Sequence, residues 1–248
     1  MVALAAAVGL LVAAAASADT PLEAGGELLA HYHDDLRQLD RARDVLESAA
    51  EREPTPEVLS GLAHTWFLLG EFRARTDRER LTAYEHGRDA GRRAVAAAPR
   101  SETAHVWYAL NSARLAGTRG ITRAAAALPG LKDEAATILA LNPDSVEGNT
   151  LAGGLAAELP AMLGGDRTRA EAHFRRALKA DPRRTGPRVE LARLYIATRR
   201  YKDAQRELQQ VLDEPAPSDL SYWTLADAPH ARELLTAIAP HVQPRESP

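Results

Sequence analysis

The sequence contains no cysteine, and that absence removes several functions at once. Disulfide staples, thiolate metal sites, a cysteine nucleophile and a lipidated N-terminal cysteine are excluded, so stability has to come from packing. Aromatics make up only 5% of the 248 residues. Alanine, leucine, arginine and glutamate dominate in place of the β-branched and aromatic residues that strands favour, which predicts an all-α protein. An excess of one charge is also lacking, since 31 basic residues face 34 acidic ones for a formal net charge of −3. No global field draws the chain to nucleic acid or to an anionic membrane. Arginine pairs such as Arg183-Arg184 and Arg199-Arg200 read as solvated helix ends.

Nucleotide-binding glycine loops are missing, and Ser60, in Leu59-Ser60-Gly61, lacks the glycine-x-serine-x-glycine elbow of a hydrolase. The chain therefore reads as non-enzymatic, with no catalytic residue and no cofactor. His31, His33, Asp34 and Asp35 form the one cluster that hints at a metal. Residues two apart on a helix point about 200° apart, which leaves His31 and Asp35 as two ligands at most, too few for a firm site. No metal is expected.

Long apolar runs are scarce. Residues 1–18 carry no charged side chain and end in Ala16-Ser17-Ala18, the small-x-small pattern of a signal peptidase site. They are expected to be a signal peptide cleaved after Ala18, which makes the product periplasmic or secreted, with no permanent span in the mature chain. The alternative is a membrane anchor formed by residues 1–18. A run of that length interrupted by Gly9 is marginal for a span.

What is present is a repeat. Ala170, Phe174, Ala177 and Pro182 place a small, a large and a small residue at offsets of four and seven, one helix face, with a proline twelve on. Small residues on that face let a neighbouring helix approach, and the proline punctuates the chain. The same offsets recur as Ala42, Leu46, Ala49, Pro54; as Gly87, Gly91, Ala94, Pro99; as Leu131, Ala135, Ile138, Pro143; and as Ala204, Leu208, Val211 before Pro215 and Pro217. Ahead of these helices lie amphipathic segments such as Leu59, Leu62, Ala63, Trp66 and Arg188, Leu191, Ala192, Tyr195. Gly153 occupies a small-residue packing place in the fourth unit. Leu163-Gly164-Gly165-Asp166 supplies a glycine stop followed by an aspartate cap for a helix over 167–180.

This series resembles the tetratricopeptide repeat, whose hairpins carry the large-Leu-small-aromatic pattern in the first helix and small-large-small-proline in the second. The resemblance implies a right-handed α-solenoid of about five antiparallel helix pairs. Pro182 to Ala216 is 34 residues, the family period, whereas the earlier proline intervals are 45, 44 and 39 residues. The excess falls between the helices of units two to four, as longer connections or as extended helices. A capping helix is expected over Ala231 to Ala239, making 19–239 the repeat domain and 240–248 a disordered tail.

The irregular units also resemble the periplasmic T-component of TRAP-type transporters, through Val106-Trp107-Tyr108-Ala109 with Gly120-Ile121, Leu163-Gly164-Gly165-Asp166, and Ala231-Arg232-Glu233-Leu234-Leu235. That resemblance implies a scaffold associated with a solute-binding protein. The chain departs from it in lacking the acylated cysteine and in having Pro229.

In tetratricopeptide stacks the first helices line the concave face, where a protein partner or peptide binds. The faces opposite the packing positions present His31, Asp34, His64, Phe67, Trp107, Arg114, Glu158 and Arg193 as the partner-binding groove. Tryptophan and arginine dominate many interfaces, although Trp107 and Phe67 also suit packing between repeats. The alternative function is a small-ligand carrier, with an apolar cavity lined by Gly148 to Ala157 and Leu159 to Leu163.

Overall fold

The structure, a computed structural model, describes residues 20–242, so the expected signal peptide lies outside the described residues. Within them, five antiparallel hairpins follow one another: α1 (Pro21–Ala30) with α2 (Arg37–Arg52), α3 (Pro56–Phe72) with α4 (Asp77–Ala97), α5 (Glu102–Thr118) with α6 (Ile121–Leu141), α7 (Val146–Glu158) with α8 (Arg167–Ala180), and α9 (Gly186–Ala197) with α10 (Tyr201–Leu212). A one-turn helix α11 (Leu220–Tyr222) and a π-helical turn, Trp223–Asp227, lead into α12 (Ala228–Val242), which packs on α10 and caps the stack. The expected all-α solenoid is what forms. Among the described residues there is no strand, and no helix is long and apolar enough to cross a membrane.

Helix starts are written locally. Thr20, Thr55, Thr76, Ser101, Ser145 and Asp166 each accept a hydrogen bond from a first-turn backbone N–H, and such a cap stabilises a helix by about 1 kcal/mol relative to alanine. Thr20 with Glu23 and Thr76 with Glu79 complete capping boxes. Gly164, at φ +87°, takes the left-handed conformation that stops the chain before Asp166 caps α8. That turn is strained for any side chain.

The repeated small-large-small positions are the places where hairpins touch. Ala170, Phe174, Ala177, Ala204, Leu208 and Val211 are fully buried, as are Ala42, Leu46, Ile138 and their neighbours in register. Gly153 lies against Phe174 so closely that a Cβ there would sit 2.6 Å from the ring. Helix contact therefore explains this glycine.

Units two and three take their extra length as helix: α4 and α6 each run 21 residues, against 12 in α10. Unit four instead carries a connection over 159–166 with a single 3-10 turn, Ala161–Leu163. The cap also differs from the sequence expectation. The π turn at Trp223–Asp227 continues directly into α12, which begins at Ala228 and reaches Val242, beyond both ends of the expected 231–239. The rest of the expected tail, 243–248, lies outside the described residues.

One feature breaks the nearest-neighbour logic of a solenoid, in which each unit touches only the next. The segment 216–227 leaves α10 and crosses to the first hairpin. Its stem is tied by Ser218 Oγ, which donates to Asp181 Oδ1 at 2.9 Å, and by Arg183 Nε, which donates to the Ala216 carbonyl at 2.5 Å. At its far end Ser221 Oγ donates to the Ala30 carbonyl at 2.8 Å and lies 2.7 Å from His33 Nδ1. The hydroxyl has one proton, so the imidazole nitrogen donates to it in turn. Tyr222 meets Phe72 edge-on at 5.4 Å, and Phe72 packs on the buried Tyr32. The segment is a strap that joins the last repeat to the first.

Candidate binding chamber on the concave face

The first helices α3, α5, α7 and α9 face a common space, and the strap with the start of α12 closes one side of it. The result is a partly open chamber of about 610 Å³. Phe67 and Glu71 come from α3, Trp107 and Arg114 from α5, Leu151 and Glu158 from α7, Glu190 and Arg193 from α9, Tyr222 and Asp227 from the strap, and His230 from α12.

Of the eight groove residues expected from sequence, the structure brings Phe67, Trp107, Arg114, Glu158 and Arg193 to this chamber. His64 stands just behind, stacked on Trp107 with ring centroids 3.8 Å apart and planes at 14°. Phe67 meets Trp107 at 5.7 Å and lies beneath the Arg114 guanidinium at 5.7 Å. Trp107 therefore packs between repeats on one face and lines the chamber on the other. Burial pushes the His64 imidazole down to about 3, with the Arg184 charge adding to the effect, so it is neutral at pH 7.

His31 and Asp34 are not in the chamber. The helix stops at Ala30, because Tyr32 turns inward to be buried against Phe72, and residues 31–36 form turns that leave Asp34 exposed. Their face arithmetic assumed a helix that does not extend so far. The expected ligand cavity is also moved. Gly154 and Leu155 line the chamber, but residues 160–162 of the apolar run project outward, with Met162 91% exposed, because the turn before Gly164 carries them off the concave face. The chamber wall is charged as well as apolar. Among the described residues no group of three potential ligands gathers for a metal.

The ionic arrangement is unequal. Among the described residues, six carboxylates line the space with three guanidiniums. Arg114 is taken by Glu71, at 2.9 Å, whose carboxylate also accepts from the Tyr84 hydroxyl at 2.5 Å. Arg184 is shared between Glu147 at 3.2 Å and Asp219 at 3.3 Å. Arg193 reaches Glu190 only at 3.9 Å, and Glu158 has no ion pair among the described residues. Asp227 is 8% exposed and accepts from Thr185 Oγ1 at 2.7 Å through one oxygen. Burial, reinforced by Asp219 and Glu190 against the pull of Thr185 and Arg184, pushes its carboxyl up to about 6. Burial likewise raises the Glu190 carboxyl, with Arg193 opposing and Glu158 adding repulsion.

Glu71, Glu190 and the strap residues were missed by sequence reading. Glu71 lies one turn past Phe67 and Glu190 one turn before Arg193, so helical spacing carried a signal for both. Nothing local pointed to Asp219, Tyr222 or Asp227.

A family model described as tetratricopeptide repeat matches residues 161–228. No curated protein matches the chain. Among solved structures, a thermophilic tetratricopeptide protein of Thermus thermophilus is similar with a TM-score of 0.64 at 23% identity, over 90% of this chain and 97% of that one. PilF of Pseudomonas aeruginosa is similar with a TM-score of 0.51 at 13% identity, over 90% and 94%. The match places a tetratricopeptide repeat in residues 161–228, and the structural similarity shows the same kind of helical-repeat fold over most of the chain.

Proposed function

We propose that this chain is a non-enzymatic scaffold of the bacterial cell envelope that binds a protein partner in the concave chamber, and that a TRAP-type solute-binding protein is that partner. The observation that carries the binding role is the joining of Phe67, Trp107 and Arg114 with Glu158 and Arg193 around one accessible space. Aromatic and arginine anchors beside a partly enclosed pocket are the usual seat of interface energy. The envelope location is supported by the uncharged run ending Ala16-Ser17-Ala18, and the solute-binding partner by the sequence resemblance alone.

A pull-down from the native source tests this. The double variant Trp107→Ala, Arg114→Ala is expected to weaken capture of the partner at least tenfold, about 1.4 kcal/mol, while remaining folded. Undiminished capture contradicts the reading, and so does a captured set without any solute-binding protein for its finer part. An unfolded variant makes Trp107 a packing residue; Arg114→Ala alone then decides.

A second reading, a small-ligand carrier, is favoured by closure of the groove by the strap, since about 610 Å³ falls within the range of small-molecule sites. Native mass spectrometry of the purified chain tests it. A bound small molecule supports the carrier; a bare mass together with no displacement of an apolar dye removes it.

A further inference from the structure

The strap changes what the concave face can accept. An extended peptide running the length of the groove would have to pass the place where Ser221 bonds Ala30 and Tyr222 meets Phe72. With that path occupied by the chain itself, the chamber admits an end or a side chain rather than a through-running strand. The walls then specify its chemistry. Trp107, Phe67 and Leu151 give the lining an aromatic and aliphatic surface for an apolar stem. Three carboxylates line it as well: Glu158, exposed and without an ion pair among the described residues, Glu190, with a distant one, and Asp227, more than nine-tenths buried and bonded to Thr185 through one oxygen.

We propose that the chamber binds a cationic group on an apolar stem, an ammonium or guanidinium received by Glu158, Glu190 and Asp227 while the stem lies on Trp107. This rests on the chamber being the binding site and adds the charge of its ligand. Glu190 feels repulsion from Glu158, and Asp227 feels it from Glu190, so the three carboxylates oppose one another as they stand. A cation among them relieves that repulsion and adds a charged partner for Asp227 beside the Thr185 hydroxyl. The guanidiniums offer an anion less, because Arg114 and Arg184 are already taken by Glu71, Glu147 and Asp219, and Arg193, with its 3.9 Å pair, stands beside Glu190.

Calorimetric titration of the full chain with three probes tests the proposal. 2-Phenylethylamine is expected to bind, and 3-phenylpropanoate, with the same ring and the opposite charge, to bind at least tenfold more weakly. The double variant Glu158→Gln, Glu190→Gln is expected to lose at least tenfold in affinity for the amine with a melting temperature that is not lowered. A doubly blocked Ala-Lys-Ala peptide identifies the source of the cation: competition with the amine points to a side chain of a protein partner, and binding of the amine alone points to a free amine. Equal or tighter binding of the anion, no binding of any cation, or an amine affinity unmoved in the folded double variant would overturn the proposal. If that variant unfolds, the cation–anion comparison on the unaltered chain decides. Anion preference with partner capture still dependent on Trp107 overturns the charge assignment alone. Cation binding without Trp107-dependent capture overturns the scaffold reading alone.

Discussion

Replacing Tyr222 by alanine is expected to release the strap from the first hairpin, with a local cost of about 3 kcal/mol for a truncated, largely enclosed aromatic. Tyr222 supplies the ring that meets Phe72, and the Ser221 bonds to Ala30 and His33 depend on the same close approach. Hydrogen exchange measures the result by region. Amides of α1 and of residues 216–227 should exchange roughly a hundredfold faster. Those of α8 to α10 should change little, because Phe174, Leu191, Tyr195 and Leu208 form a core of their own there. Uniform acceleration through all hairpins would mean that Tyr222 acts as a general core residue. No acceleration in α1 would mean that the strap does not hold it.

The second large effect concerns Asp227. Its carboxyl titrates at about 6 in the folded protein against an ordinary value of 3.8. The folded state therefore holds the proton more tightly, and this group's contribution to stability is fully present below about pH 4 and lost as pH rises to about 6. Two pKa units correspond to about 3 kcal/mol, an order-of-magnitude figure for a buried group among Arg184, Asp219, Glu190 and Thr185. Asp227→Asn keeps an oxygen to accept the Thr185 hydroxyl and cannot ionise. It is expected to stabilise the chain by up to about 3 kcal/mol at neutral pH, and by a vanishing amount below pH 4.

His64 works in the opposite direction, since an imidazole held neutral down to about 3 loses stability as pH falls below its ordinary 6.5. Between about pH 4 and 6 the two slopes oppose each other in the native chain. In Asp227→Asn the His64 slope stands uncovered, so acid lability in that window becomes steeper. Denaturant melts across pH 4 to 8 check this. A stabilisation that is constant with pH would show a packing effect instead of a titration.

Local physics was legible in the sequence and ring closure was not. The triplet Ala170, Phe174, Ala177 is completely buried, as a single helical face of small and large residues requires, and Asp166 caps α8 where the glycines before it stop the chain. Phe67, Trp107, Arg114, Glu158 and Arg193 reach one chamber because the first helices of successive hairpins present equivalent faces. The extra residues of unit two were ambiguous between loop and helix, yet Thr76-Asp77-Arg78-Glu79 is a capping box and marks the start of α4 in the sequence itself. His31 and Asp34 were misplaced by the inward turn of Tyr32, a tertiary preference that no helical wheel records. The strap's bonds from Ser221 to Ala30 and His33 join residues 191 and 188 apart. At that separation no periodicity, cap or turn signal carries information.

The last repeat is tied across the concave face to the first, and the absence of cysteine makes that tie directly measurable. Asp34→Cys with Leu220→Cys puts two thiols on exposed positions beside the Ser221 contact, in a chain with no other thiol. Treated with a short bifunctional maleimide, the native fold is predicted to give an intramolecular cross-link in high yield, seen as a monomer of one added bridge with altered gel mobility, and the yield should collapse when Tyr222→Ala is added. Two separate single-ended adducts on the otherwise unaltered chain would contradict the tie between the strap and the first hairpin.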